Sequence, residues 1–543
     1  MPKKQNNKSS SFVVQAGILA AAGLISRIIG MLYRSPLKAI IHTEGQGYYS
    51  TAYGVYLIIL LLSSYNIPMG VSKLISEQYA LGKYKNAKRI FNCSLIYVVI
   101  IGGIASILTF VFAPYLVYDN PNAAEALRVL SLTIFFSGIL GALRGYSQAK
   151  GQMVQTSISQ IVEQVMNAVI SIAAALALTE GLSGTQLAIK GAAGGAMGTL
   201  AGVLIGLIYM TIVFVYIQKG QKAEFEADKS KPEPYGKIFK LIFAIVTPII
   251  FTAFITNITS TLNMLTFYRL MAVKGYTSDY YNSLYSVFGG EFVVLINVPI
   301  AIASSVGNTL VPSVSASYAK KNIDAVKAKI SESVTLAMLI GIPAAVGLAV
   351  LSYPLVGALF FDRETIDLSA SFLLYGSIIA VFNSFSTVII SALQAMGKVN
   401  ITVRNSIFTL IIDIVVLVSL IWLTPLNIYS LLITMIVQSF SLCFINFLSL
   451  QKAVGYKQEI KKSFILPLIS SLVMGIFAYG AYKLTYMFIT QSFFISLIVG
   501  GIVGILAYFV AILLSGAVSE EELEALPKGD FIVKVAKKVK LIR

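Results

Sequence analysis

The sequence predicts an all-α polytopic membrane protein, and three observations carry that prediction. Of the 543 residues, 57% are hydrophobic and only 12% charged, with a mean hydropathy of +0.81. Soluble chains carry about 25% charged residues, and a soluble core has no room for this much apolar surface. Apolar runs of roughly 20 residues recur from end to end, each long enough to cross about 30 Å of hydrocarbon. They lack the alternation of an outer-membrane barrel.

Taken in order, spans are expected at 12–34, 49–74, 90–115, 124–147, 154–178, 187–217, 237–268, 281–312, 326–350, 366–395, 401–424, 427–450, 463–487 and 492–515, fourteen in all. The basic start MPKKQNNKSSS resembles a signal peptide. The run after it is long and has no small-residue cleavage site, so it reads as a retained first helix. Pro36 is expected to end that helix. Cys93 and Cys443, the only cysteines, fall in or beside spans, which argues against a disulfide or a metal cluster. The single histidine, His42, reads as a headgroup-level loop residue and excludes most histidine-based chemistry.

The net charge of +17 invites a nucleic-acid reading, which the positions of the charges exclude. With the N-terminus inside, the inner connections are KYKNAKR (83–89), RGYSQAKG (144–151), 218–236, AKKNIDAVKAK (319–329), GKVNITVR (397–404), QKAVGYKQEIKK (451–462) and the tail. With the N-terminus they hold about thirty of the 41 Lys and Arg residues, against roughly seven outside. That bias orients the chain with both termini in the cytoplasm, and the positive charge also attracts anionic lipid.

The chain echoes itself at offsets of about 240 residues: QAKGQ (148–152) and QAMGK (394–398), IPMGVS (67–72) and VPSVS (311–315), APYLV (113–117) and SYPLV (352–356). Six spans per repeat gives two halves of like orientation, a plan that places substrate sites between the lobes. The expected organisation is an N-terminal lobe over 1–217, a mobile cytoplasmic linker over 218–236, a C-terminal lobe over 237–450, two further spans over 451–515 and a cytoplasmic tail over 516–543. The tail pairs Ser519 with Glu522 as a capping box. Phe531, Ile532, Val535 and Val539 then share one face, with lysines on the other, as in an interfacial helix on an anionic leaflet.

Charge inside the spans is where chemistry is expected. In SRIIGMLYRSP (26–36), Arg27 and Arg34 are two turns apart on one helical face, with Gly30 between them. An arginine at a bilayer centre costs at least about 2.5–3.5 kcal/mol and normally faces a wet cavity or a substrate path. Its fork of donors suits phosphate. Arg34 has a second reading as a headgroup-level charge. Lys73, after Pro68, either enters the same cavity or reaches the inner face; Arg144 lies near the inner mouth. The intramembrane acids Glu163, Glu291 and Asp413 are candidates for ion or proton coupling, or structural partners for a cation. Asn66, Gln160, Asn167, Asn257 and Asn263 either link helices or line the cavity. GAAGGAMGTLAGVLIG (191–206) places glycines four apart, as close helix packing requires. Without a strand–turn–helix context it is not a dinucleotide site. No Walker lysine motif, catalytic acid pair or serine–histidine arrangement is present, so no covalent chemistry, cofactor or metal site is expected.

SRIIGMLYRSPL, EGQGYYSTAYGVY, IPMGVSKLISEQYALGKYKNAKRIF, LRGYSQAKGQMVQTSISQIVEQ and GAAGGAMGTLAG, in this order, resemble the polysaccharide-biosynthesis, stage V sporulation protein B branch of the multidrug/oligosaccharidyl-lipid/polysaccharide exporter superfamily. The resemblance spans nearly the whole chain and is strongest over the first 200 residues. It implies two six-helix lobes around a central cavity, two extra C-terminal helices and alternating access. It also implies residence in the bacterial cytoplasmic membrane and flipping of polyprenyl-diphosphate-linked glycans, as in the lipid II flippases of cell-wall synthesis, with wall-synthesis proteins as possible partners. Arg27 matches the family's SRxxG motif and Arg34 resembles its next cavity arginine, one residue further along. Tyr53 and Tyr56 stand where another cavity arginine is expected, and the eighth span carries Glu291 without an arginine. Substrate contacts are therefore expected from Arg27, Arg34, Lys73 and Arg144, with Na⁺, H⁺ or membrane potential as the driving force. The alternative is a multidrug–cation antiporter of the same superfamily, which calls for an acid-biased cavity. A membrane-embedded glycosyl transferase calls for loop acids that are missing, and a scaffold leaves the buried arginines unexplained.

Overall fold

The computed structural model describes residues 17–517 apart from 20, 24, 27, 28, 31, 32, 64–66, 118, 119 and 361–364. Every regular element among the described residues is helical, and thirteen of these helices are long and apolar enough to cross a membrane. The first expected span is helical between 17 and 30 wherever it is described. Together these match the predicted all-α architecture. The tail and Asn66 lie outside the described residues.

Pro36 starts a helix instead of ending one. α1 (Arg34–Ser63) carries it in its first turn, where a missing N–H costs nothing because that N–H has no intrahelical partner. His42 then interrupts α1 with non-helical dihedrals (φ 58°, ψ 179°), so the expected loop is a kinked helix. α2 (Ile67–Ala80) has Pro68 at its start and completes the second span.

α3 (Tyr84–Leu116), α4 (Ala124–Ala149), α5 (Met153–Thr179) and α6 (Gly184–Lys219) finish the first lobe. The glycines of α6 let it lie directly on α5. A Cβ on Gly198 would fall 2.0 Å from Ser171 Oγ, and one on Gly202 would fall 2.5 Å from the Glu163 carbonyl oxygen. Ser171 Oγ uses the closeness to donate to the Gly195 carbonyl at 2.9 Å.

α7 (Lys222–Ala227) is a short helix in the linker. The second lobe contains α8 (Tyr235–Val273), α9 (Ser278–Val287), α10 (Val293–Ala319), α11 (Ile323–Val350), α12 (Ser352–Leu359), α13 (Ile366–Gly376), α14 (Ile378–Ala395), α15 (Val399–Leu423) and α16 (Tyr429–Val454). A π-turn, Phe288–Phe292, joins α9 to α10. The expected span 366–395 is broken at Ser377, leaving α14 as its membrane-length part. α17 (Leu466–Phe488) and α18 (Phe493–Leu514) pack on each other and flank the second lobe through α11 and α12.

The echoes of the sequence recur as turns. Gly151 (φ 74°) follows α4 and Gly397 (φ 77°) follows α14; Gly82 (φ 71°) follows α2 and Lys321 (φ 57°) follows α10. Gln148 and Gln394, the first residues of the two QA-G echoes, are both buried. The lobes meet where α2 lies along α10 and where α8 touches α1, α2 and α3.

Candidate functional site

Two polar pockets lie within this helical frame. The first, of about 270 Å³, lies in the first lobe and is lined on one side by Asn308 of α10. Gly141 and the start of α2 set its shape, because Pro68 sits within 3.3 Å of where a Cβ on Gly141 would stand. Its polar lining is Tyr56, Arg144, Gln148, Gln160 and Glu163. Arg144, on α4, donates to Glu163 Oε2 on α5 at 2.7 Å and to Ser159 Oγ at 2.8 Å. Both charged side chains are mostly buried, at 14% and 21% exposure. A guanidinium held this way keeps further donors for an incoming anion, which has to compete with Glu163 for them. Tyr56 packs against Tyr53, ring centroids 5.5 Å apart. The position where a further arginine was sought thus forms an aromatic wall.

The second pocket, about 360 Å³, lies wholly within the second lobe. Asn257, Asn263, Asn297, Asn383, Gln438 and Asp413 supply its polar lining, and Tyr285 and Phe288 part of its aromatic wall. No lysine or arginine is among its lining residues. Asp413, on α15, is fully buried; no donor among the described residues lies within 3.5 Å of its carboxylate oxygens, and the Asn263 side chain is the donor that approaches them. A carboxylate without donors is strongly destabilised as an anion in a low-dielectric interior. It needs a proton or a cation, and the surrounding amide and hydroxyl oxygens are the hard donors that small cations take.

The remaining candidates fall elsewhere. Lys73 is buried, ion-pairs with Glu77 and lies where the lobes meet; its Nζ is 3.8 Å from where a Cβ on Gly397 would stand. It is not among the residues lining either pocket. Glu291 sits partly buried in the π-turn at the start of α10 and lines neither pocket. Arg27 lies outside the described residues, as does the side chain of Arg34. Asn167 links helices: its Oδ1 accepts from Thr199 Oγ1 of α6 at 3.5 Å, and from Ser171 Oγ of its own helix at 3.0 Å. The structure thus brings Arg144, Gln160 and Glu163 together in one pocket and Asn257, Asn263 and Asp413 in the other. Asn297, Asn383 and Gln438 were not singled out from the sequence; their signal was an amide inside an apolar run. Among the described residues no three His, Cys, Asp or Glu side chains cluster as metal ligands.

The family model for polysaccharide biosynthesis proteins matches residues 12–318. The chain belongs to that family. A MatE model also matches residues 292–419, so this polysaccharide biosynthesis protein is a member of the multidrug/oligosaccharidyl-lipid/polysaccharide exporter superfamily. It is 25% identical over 391 residues to the lipid II flippase MurJ of Bacillus subtilis (strain 168), covering 69% of this chain and 70% of that one. It is 22% identical to stage V sporulation protein B of the same organism, over 60% of this chain and 62% of that one.

Among solved structures, MATE in complex with MaD3S superposes with a TM-score of 0.68 at 15% identity, over 82% of this chain and 98% of that one. An outward-facing multidrug resistance MATE family transporter superposes with a TM-score of 0.67 at 15% identity, over 81% and 95%. These likenesses establish the MATE-type helical fold. One of these relatives is named as a flippase and one of these structures as a transporter, and the family member described here is a multi-pass membrane transporter and not an enzyme.

Proposed function

We propose that the protein flips a polyprenyl-diphosphate-linked glycan across the cytoplasmic membrane by alternating access, with both termini in the cytoplasm. The carrying observation is Arg144, a cation set in a polar pocket lined on one side by a residue of the other lobe, in a chain related to a lipid II flippase. Arg144 with Arg27, and Arg34 beside them, would hold the diphosphate, and Lys73 would act where the lobes meet. Arginine serves this role through paired donors that match phosphate oxygens. Peptidoglycan precursors and other lipid-linked glycans share that diphosphate.

Asp413 is proposed as the coupling site for Na⁺ or H⁺, with Glu163 setting the competition for Arg144 and the membrane potential adding to the drive. Glu291 is a further coupling candidate. The fully buried carboxylate of Asp413 is also the one observation that favours a cation antiporter.

The test is flipping of a fluorescent polyprenyl-diphosphate glycan in proteoliposomes, alongside uptake of a cationic dye. Glycan flipping that is lost in Arg27→Ala and partly retained in Arg27→Lys supports the reading, because the lysine keeps charge but not the fork. Normal flipping by Arg27→Ala at normal membrane levels removes Arg27 from the site. Dye transport without glycan flipping replaces the reading with the antiporter.

A further inference from the structure

The linker between the lobes was expected to be mobile, and the structure shows it strapped across the start of α3. The backbone N–H of Lys85 donates to Asp228 Oδ2 at 2.7 Å, and the N–H of Glu233 donates to Asn86 Oδ1 at 3.0 Å. Arg89 donates from one terminal nitrogen to the carbonyl oxygens of Glu233 at 2.9 Å and Pro232 at 3.4 Å. Its guanidinium lies 4.7 Å from the Tyr235 ring centroid, and the Lys88 ammonium lies 5.3 Å from that of Phe225.

Strap and helix together enclose an open cavity of about 560 Å³. Lys85, Lys88 and Arg89 line it from the helix; Phe225, Glu226 and Tyr235 line it from the strap. We propose that this cavity binds a phosphate group of net negative charge, one that no cation on the same head offsets.

The charges are the first reason. Three cations face one carboxylate, Glu226, across the cavity. The nearby acids already have partners: Asp228 accepts from the backbone N–H groups of Lys85 and Ser230 and lies in the field of the Lys85 ammonium, and Glu233 pairs with Lys237 at 3.2 Å. Among the described residues none of Lys85, Lys88 and Arg89 forms a salt bridge. Cations gathered on one wall repel one another, and a bound anion offsets that repulsion.

The architecture is the second reason. A topological charge bias needs lysines on a connection, but it needs neither a cavity nor rings set against two of the cations. The third reason is position. Tyr84 and Tyr235 begin two spanning helices, α3 and α8, so the cavity stands at the depth of lipid headgroups. An anionic phospholipid and a soluble phosphate compound both carry the group it would take. The site does not depend on what the lobes transport.

The side chains separate site from strap, which makes the test clean. Lys85 donates its backbone N–H to the strap and its ammonium attracts Asp228, and Lys88 touches the strap through a ring, so Lys85→Gln with Lys88→Gln removes two charges and leaves the hydrogen bonds in place; cleavage in phosphatidylcholine alone measures what the strap itself loses. Lys229 offers trypsin a cut within the strap. The full chain is placed in nanodiscs of phosphatidylcholine alone, of phosphatidylcholine with phosphatidylglycerol, and of phosphatidylcholine with added inorganic phosphate. Cleavage at Lys229 is timed in each.

Phosphatidylglycerol should slow cleavage of the wild-type chain relative to the double variant, roughly fivefold for each lysine removed, the scale of one basic residue near an anionic surface. A Lys452→Gln, Lys457→Gln control, on a different connection, should keep the slowing. Slowing by phosphatidylglycerol alone identifies a lipid headgroup; slowing by inorganic phosphate as well identifies a site open to soluble phosphate. Equal cleavage of wild type and double variant under every condition, or slowing that the control also loses, overturns the proposal.

Discussion

In the first lobe Glu163 is taken by Arg144 at 2.7 Å, while in the second Asp413 has only the neutral Asn263 amide near it among the described residues and no cation lining its pocket. One pocket carries its own counter-charge and reaches across to Asn308 of the other lobe; the other is enclosed within a single lobe. A paired pocket is stable when empty, and an incoming anion must compete with Glu163. An unpaired carboxylate is stable only with a proton or cation in place. On the proposed function the two halves would do different work: the first would exchange an anionic substrate, and the second would take a small coupling ion.

The largest effect should come from the unpaired acid. Asp413→Asn keeps the shape and removes the charge. If Asp413 holds a cation, flipping in proteoliposomes should fall roughly ten- to a hundredfold, the scale of losing one hydrogen bond to a charged group. The residual rate should no longer respond to a Na⁺ or pH gradient. Full gradient dependence in Asp413→Asn at normal protein levels would break the comparison, leaving Asp413 a protonated structural residue.

The paired pocket should respond differently to each partner. Arg144→Ala strands Glu163, and a part-buried pair broken from one side should cost about 1–3 kcal/mol, below the fully buried range because both groups keep some exposure. Glu163→Gln frees the guanidinium without stranding a charge. Protein levels should then stay near normal, and affinity for a soluble diphosphate analogue should rise several-fold. Thermal unfolding followed by analogue titration separates the outcomes. If Glu163→Gln weakens binding, Glu163 orients Arg144 for the anion instead of competing with it.

What the sequence made legible follows from how each feature is encoded. Spans and the glycine seam of α6 are periodic and local, so composition and spacing place them, down to Gly198 against Ser171. The pairing of Arg144 with Glu163 joins neighbouring helices through a register that no local pattern records. Asp413 and Asn257 are 156 positions apart and meet only because the second lobe closes around them. Pro36 shows the limit in miniature: the same residue ends one helix or begins the next, and the backbone before it decides. The segment 218–236 is charged and proline-bearing, features shared with mobile linkers, and no local pattern in it records the contacts it makes. What holds it is a set of side-chain and backbone contacts to residues 85–89, more than 140 positions earlier.

A third carboxylate sharpens the comparison from outside the membrane, with the smallest effect. Asp228 accepts from the N–H groups of Lys85 and Ser230, both at 2.7 Å. Hydrogen bonds from Ser230 and from the Lys85 backbone hold its carboxyl down to about 2, from an ordinary 3.8. A depressed folded value means that the contact contributes fully above about 3.8 and is lost as pH falls through about 2. The strap should therefore not respond to pH across the range where cells live. Hydrogen exchange at the Lys85 and Ser230 amides, corrected for intrinsic rates, should show constant protection from pH 8 to 5. Asp228→Asn keeps an acceptor but loses the charge, and should speed cleavage at Lys229 only about two- to fivefold, the range of a single surface interaction. Protection that falls between pH 8 and 5 would mean that a different titrating group holds the strap. The pairing rule drawn from Glu163 and Asp413 would then not extend to a carboxylate outside the membrane.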